Sequence, residues 1–222
     1  MEIDINGELM RLAFHFVATG DTLYPTAAKY PGMKYIHVEP HDDGAVIVAC
    51  DGAWMFLGID EDGFCDEPVN VDLDLTMHMK LKPTTAEKLR VKAVRGRSLA
   101  LWTVHARGVR QDRPWVADDQ GYPDWRVVVP DAGRLNVHFP AVISSAYLAK
   151  IGRLWDDTDK RLGHAVFLGK GGKTATCVHF PRMPNVMLVG MPLNEDDMTG
   201  FLPGTDWSER FKQEAPEIDD DL

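Results

Sequence analysis

No set of reactive side chains in this sequence has the spacing that catalysis or metal binding needs. Eight histidines are present, among them His15, His78, His105, His138, His164 and His179, but they are scattered without ligand spacing. The three cysteines, Cys50, Cys65 and Cys177, lie far apart and form no CxxC pair, so neither a zinc site nor a disulfide framework is expected. GKGGKT at 169–174 approaches a phosphate-binding loop. That loop requires a glycine five positions before Gly172, where Phe167 stands, and it must open a helix, whereas 174–180 has the content of a strand. A glycine-rich hairpin is expected there. Asp60-Glu61-Asp62-Gly63 brings its glycine too early for a calcium loop and reads as a turn. No GxSxG or paired Cys-His signature occurs. The expectation is a non-enzymatic protein with no cofactor and no metal, whose chemistry is binding.

A binding protein is organised by its apolar runs. Residues 1–5 alternate apolar and acidic positions as a short strand does, and Asn6-Gly7 is a turn. In 8–18, Leu9, Leu12, Ala13, Phe16 and Val17 recur at the spacing of one helical face. Strands are expected at 35–38, 45–48 and 54–57, with Asp42-Asp43-Gly44 and Asp51-Gly52 as the turns between them. A second strand-helix-three-strand unit is traced through 71–75, 75–82, 89–94, 98–106 and 113–116. A third has its strand at 134–139, Pro140 at a first helical position, a helical face through Val142, Ile143, Ala146, Tyr147, Ala149, Lys150 and Arg153, and strands at 165–168, 174–180 and 186–191. GYPDWRVVVP at 121–130 joins the second and third units. Tyr122-Pro123-Asp124 predicts a turn, Val127-Val128-Val129 a buried strand, and Pro130 its end.

Three places in this plan carry a resemblance. AKYPGMKYIHVEPHDDGAVIVACDGAWM (28–55), GYPDWRVVVP (121–130) and NVMLVGMPL (185–193) resemble, in that order, segments of the bacterial sliding clamp, the β subunit of DNA polymerase III. The resemblance implies an α+β, DNA-clamp-like fold of three strand-helix-three-strand half-domain units. Residues 1–130 would be a clamp-like domain similar to the clamp's second, 131–193 a half-domain similar to the end of its third, and 194–222 an acidic mobile tail. In the family the three segments meet as an apolar pocket for short linear peptides. Carried over by position, the implied pocket is Cys50, Asp51, Gly52, Ala53, Trp54, Met55, Pro123, Arg126, Val127, Val128, Val189, Met191, Pro192 and Leu193. Trp54 and Trp125 can each equally be a core tryptophan or a pocket wall.

The sequence departs from the family where polar contacts are made. Ala53-Trp54 replaces His-Arg, Val127 a second arginine, and Asn194 the basic residue after the final Met-Pro-Met, so a more apolar ligand is expected. The family also slides on DNA through lysines and arginines of its helices. The positions available here are Arg11, Lys80, Lys82, Lys150, Arg153, Lys160 and Arg161, interspersed with Asp156, Asp157 and Asp159. They are as compatible with a solvated helix face as with a phosphate track.

Composition sets the outer bounds. With 222 residues, 45% of them hydrophobic, a sizeable core is available, and a formal charge of -10 excludes a protein that wraps nucleic acid over most of its surface. No leader-like start or membrane-length apolar run is seen, and a soluble, cytoplasmic protein is expected. The expected function is that of a sliding-clamp-like replication accessory protein. Its expected partners are a DNA polymerase or other replication protein through a short linear motif, double-stranded DNA through weak sequence-independent contact, and further copies of itself. The alternative is a regulatory interaction protein or clamp decoy that keeps the fold without encircling DNA, its acidic tail imitating DNA or occupying the pocket.

Overall fold

The computed structural model describes residues 2–18, 29–71, 90–95, 100–106, 109–115, 121–130, 145–158, 161–169 and 175–190. β1 (Glu2–Asn6) runs directly into α1 (Gly7–Phe14). Asn6 makes the junction. Its side chain accepts the Glu8 N–H at 2.8 Å and the Leu9 N–H at 3.4 Å, satisfying two of the helix's orphan donors. Its own N–H donates to Asp60 Oδ2 at 2.7 Å. The helix ends earlier than the apolar spacing predicts. From His15 onward each N–H bonds three residues back, His15 to Leu12, Phe16 to Ala13 and Val17 to Phe14, and this tightened turn still buries Phe16 and Val17.

An antiparallel meander follows, β2 (Ile36–His41), β3 (Gly44–Cys50) and β4 (Trp54–Asp60), with two short strands, β5 (Phe64–Cys65) and β6 (Val69–Val71), after it. β7 (Arg90–Arg95), β8 (Ala100–Ala106) and β9 (Val109–Trp115) form a second meander. Then come α2 (Ser145–Asp157), β10 (Val166–Leu168), β11 (Thr176–His179) and β12 (Val186–Gly190). The first strands of the two leading units are exchanged. β1 pairs with β7 in a sheet ordered β5-β1-β7-β8-β9, and β6 pairs with β2 in a sheet ordered β10-β11-β12-β4-β3-β2-β6. The third unit is joined through β12, which adds to β4 from Val186 opposite Gly58 to Gly190 opposite Trp54.

The larger sheet is apolar on both faces, and strict alternation shows which residue serves which. Ala45, Ile47 and Ala49 of β3, Trp54 and Phe56 of β4, and Val186 and Leu188 of β12 share one core with α1 and α2, reaching Leu9, Leu12, Phe16, Tyr147 and Leu154. Val46, Val48, Met55, Leu57, Cys177 and Val189 face the other way and form a second cluster with Tyr122, Trp125 and Val129 packed against it. The cleft described below belongs to this second face.

Several expectations are corrected. Val127-Val128-Val129 is not a strand. Trp125–Val128 is a short 3-10 turn, capped by the Asp124 side chain accepting the Arg126 N–H at 3.2 Å, and Val127 and Val128 are 77% and 42% exposed. The β-branched preference loses because a strand needs a paired edge, while Asp124 offers its backbone a local bond. β6 begins two residues before the expected strand at 71–75, and β5, paired with β1, was not foreseen. α2 runs four residues beyond the predicted Arg153. β10 and β11 are antiparallel neighbours, in keeping with the hairpin expected around GKGGKT, of which residues 170–174 lie outside the described residues. The predicted helix at 75–82, the strand at 134–139, the Pro140 helix start and the tail at 194–222 lie outside the described residues.

Candidate functional site

The site begins where β3 ends. Asp51 is fully buried and accepts the N–H groups of Ala53 at 3.0 Å and Trp54 at 2.9 Å, folding the chain back over Gly52, whose φ of 97° suits glycine. Lys150 reaches in from α2 and places Nζ 2.6 Å from Asp51 Oδ2. The turn is therefore tied to the third unit by charge. Trp54 repeats the tie by packing, because its ring lies 5.3 Å from that of Tyr147 and directly over Gly190. A Cβ on Gly190 would sit 2.3 Å from Trp54 Cε2, so only glycine fits there.

The 121–130 segment crosses the second face of the sheet and is pinned by two contacts. Tyr122 stacks on His37 with ring centroids 4.7 Å apart, and His37 Nδ1 is 2.9 Å from Asn70 Oδ1. Burial pushes the Tyr122 phenol well above its ordinary range. Arg126 forms a forked ion pair with Glu39 of β2, while its guanidinium lies 4.4 Å from the centroid of the Trp125 ring.

Between turn, segment and β12 lies a cleft of about 290 Å³. Cys50, Gly52, Ala53, Trp54 and Met55 line one side, Pro123, Val127 and Val128 the other, and Val189 and Gly190 the end. These include nine of the fourteen residues that the resemblance implied. Two of the fourteen do not line it: Asp51 is buried beneath the turn and acts by shaping it, and Arg126 is turned aside to Glu39. Met191, Pro192 and Leu193 lie outside the described residues. Tyr30, Met33, Tyr122, Asp124 and Gly190 line the cleft without having been assigned to it, and so does Trp125, which the sequence left open between core and pocket wall. All six fall inside the three quoted segments, and Tyr122, Asp124 and Trp125 were legible there as the large or polar members of GYPDW. Trp54 settles both ways, being 3% exposed in the core and also part of the cleft wall.

The cleft's electrostatics are simple. Among the described residues lining it, Asp124 is the charged one and none is a cation. Burial raises the Cys50 thiol to about 11, so at neutral pH it is almost wholly protonated and reacts only slowly as a nucleophile. Among the described residues, no group of three or more histidine, cysteine or acidic side chains could hold a metal ion, and no helix is long and apolar enough to cross a membrane. What the arrangement can do is receive an apolar segment and order it by shape.

The cations expected to meet DNA are found in other company. Arg11 lies 2.5 Å from Asp157, which His15 also approaches at 2.5 Å. Arg161 pairs with Glu8, and Lys150 with Asp51. Burial would raise the Asp157 carboxyl, but the hydrogen bonds from His15 and Arg11 outweigh it and hold its pKa below the ordinary value. These pairs fasten α1 and the Asp51 turn to α2 and to the loop that follows it. Arg153 is exposed, and Lys80, Lys82 and Lys160 lie outside the described residues.

Comparison with solved structures places the architecture. The DNA polymerase sliding clamp from Pseudomonas aeruginosa, solved with a ligand, superposes with a TM-score of 0.60 at 14% identity over 87% of this chain and 66% of that one. The fold is that of a sliding clamp. DNA polymerase III subunit beta from Borrelia burgdorferi, in complex with a natural product, gives a TM-score of 0.58 at 11% identity over 87% and 64% of the two chains. The chain thus spans slightly less than two thirds of the length of these clamps, and the likeness is one of fold. No protein-family model and no curated protein matches the sequence.

Proposed function

We propose that this clamp-like chain is a non-catalytic accessory protein of DNA replication whose cleft receives a short apolar peptide of a polymerase or another replication protein. In this reading 1–130 is a clamp-like domain, 131–193 a half-domain and 194–222 an acidic tail. The cleft itself carries the proposal. It joins three segments distant in sequence, its walls are held from behind by Asp51, Lys150 and Arg126, and Met33, Met55, Val128 and Val189 give it an adaptable apolar lining. Two buried apolar anchors at about 1.5–3 kcal/mol each, about 3–6 kcal/mol together, support an affinity between roughly tens of micromolar and several millimolar. Titrating a clamp-binding peptide onto the protein and onto Val128→Asp tests this. A charge introduced on the cleft wall is expected to weaken binding about tenfold or more. No binding by the parent protein removes the proposal.

The ion pairs of α1 and α2 favour the form of this reading in which the chain does not encircle DNA. Arg11, Lys150 and Arg161 would each have to leave a carboxylate of the same chain before meeting a phosphate. Few phosphate contacts mean a shallow salt dependence, since each contributes a slope of about 0.9 in log K against log salt. A steep dependence for binding to a DNA duplex, or a closed ring by solution mass, would favour a sliding role instead.

A further inference from the structure

We propose that the cleft is also an intramolecular site for the chain's own segment 195–202, which competes there with the peptide of a partner. This rests on the peptide-cleft reading above. Three observations carry it. First, β12 ends at Gly190, and Gly190 is itself in the cleft wall beneath Trp54, so the chain that follows departs from the cleft. Second, Phe201-Leu202 is an adjacent apolar pair eleven residues beyond Gly190. Treated as a random coil, a stretch of about eleven residues would span roughly 18 Å, which would give the pair an effective concentration of order millimolar. Trp207 and Phe211 are poorer occupants because Ser208-Glu209-Arg210 separates them.

Third, the charges match. The pair is preceded by Glu195-Asp196-Asp197, and the segment beside the cleft bears exposed Lys29 and Lys34. Lys29 Nζ lies 5.3 Å from the centroid of the Tyr30 ring, and Tyr30 lines the cleft, as does Met33 beside Lys34. The two cations nearest the far wall and floor, Arg126 and Lys150, are already committed to Glu39 and Asp51. Phe201 and Leu202 therefore take the apolar cleft while the acidic run takes the lysine side. Tail docking lowers the apparent affinity for any competing peptide, and an interaction that draws the acidic run away opens the site.

Cys50 reports occupancy, because it lines the cleft and is partly exposed whereas Cys65 and Cys177 are buried. The experiment compares the full chain with Phe201→Ser/Leu202→Ser. Iodoacetamide labelling of Cys50, run at one alkaline pH for both proteins because burial leaves little thiolate at neutral pH, is expected to be about tenfold faster in the variant, which should also bind the clamp-binding peptide about tenfold more tightly. A labelled synthetic peptide of residues 194–206 should bind the variant and protect Cys50 again. Equal labelling and equal affinity in the two proteins overturn the inference. If the clamp-binding peptide binds the variant but the 194–206 peptide does not, self-occupancy fails and the cleft reading stands. If neither binds, the cleft reading falls with it. Protection of the parent that disappears on dilution means that a second copy supplies the tail, and this too overturns the intramolecular site.

Discussion

Lys150 separates two accounts of this chain. As a DNA contact it would be solvated and dispensable for folding; as found, its side chain is 19% exposed and its ammonium meets a carboxylate that is 0% exposed. Lys150→Met removes the cation and leaves Asp51 a buried charge supported by two backbone N–H groups. Breaking a buried pair from one side costs about 3–5 kcal/mol, and the partial exposure of Lys150 reduces this to about 2–4. For a chain of this size each kcal/mol lowers Tm by about 2–4 °C, so a loss of roughly 4–16 °C is expected in a thermal melt. Asp51→Asn keeps an oxygen for Ala53 and Trp54 while removing the charge. The double variant should recover part of the loss, with a coupling of about 1–3 kcal/mol in the cycle. Arg153→Ala, on the exposed face of α2, should melt within about 0.5 kcal/mol of the parent. The reasoning fails if Lys150→Met melts like the parent, or if Arg153→Ala is the more harmful change.

Two further outcomes follow from the same geometry. Gly190→Ala drives a methyl group into Trp54, which Tyr147 backs from the other side, and overpacking of this kind costs about 1–3 kcal/mol; lower stability together with weaker peptide binding is expected, and unchanged values in both would show that the Trp54–Gly190 contact is not as close as described. Asp157 has a lowered pKa in the folded chain, so the unfolded chain binds its proton more readily. Its contribution is present above its ordinary value of 3.8 and is lost as pH falls through the lowered one. Urea midpoints measured between about pH 5 and 2 should decline, and Asp157→Asn should decline less over that range.

Local signals were legible where one neighbour decides the outcome. The Asp51-Gly52 turn, the strand run Ala45-Val46-Ile47-Val48 and the apolar face of Leu9, Leu12 and Phe16 all survive in the fold, because backbone geometry or burial determines them. Val127-Val128-Val129 misled for the same reason. Its residues prefer strands, but the choice was made by Asp124 at the cap and by Arg126 reaching Glu39, 87 residues away. The ion pairs were beyond sequence reading altogether. Nothing in Arg11 or Arg161 distinguishes a phosphate contact from a partner for Asp157 or Glu8, since their partners lie 146 and 153 residues away. The sheet exchange of β1 and β6 is likewise a matter of topology, which strand patterns alone do not encode.

The joining of β12 to β4 explains why a cleft exists in a chain shorter than the clamps it resembles. Each wall depends on more than one unit: the Asp51 turn belongs to the first but is held by Lys150 and Tyr147 of the third, and the 121–130 segment is pinned to Glu39 and His37 of the first. Val189 and Gly190 close the end only because five residue pairs align β12 beside β4. Removing the third unit would therefore expose the edge of β4 and the rings of Trp54 and Phe16 together, leaving no cleft to test. Of the cations that the resemblance implied for DNA, Lys150 holds this junction, and Arg11 and Arg161 tie α1 to α2 and the loop after it. A side chain that holds this junction can meet a phosphate only by leaving its carboxylate, so on the proposed reading any contact with DNA would be made at the expense of the cleft.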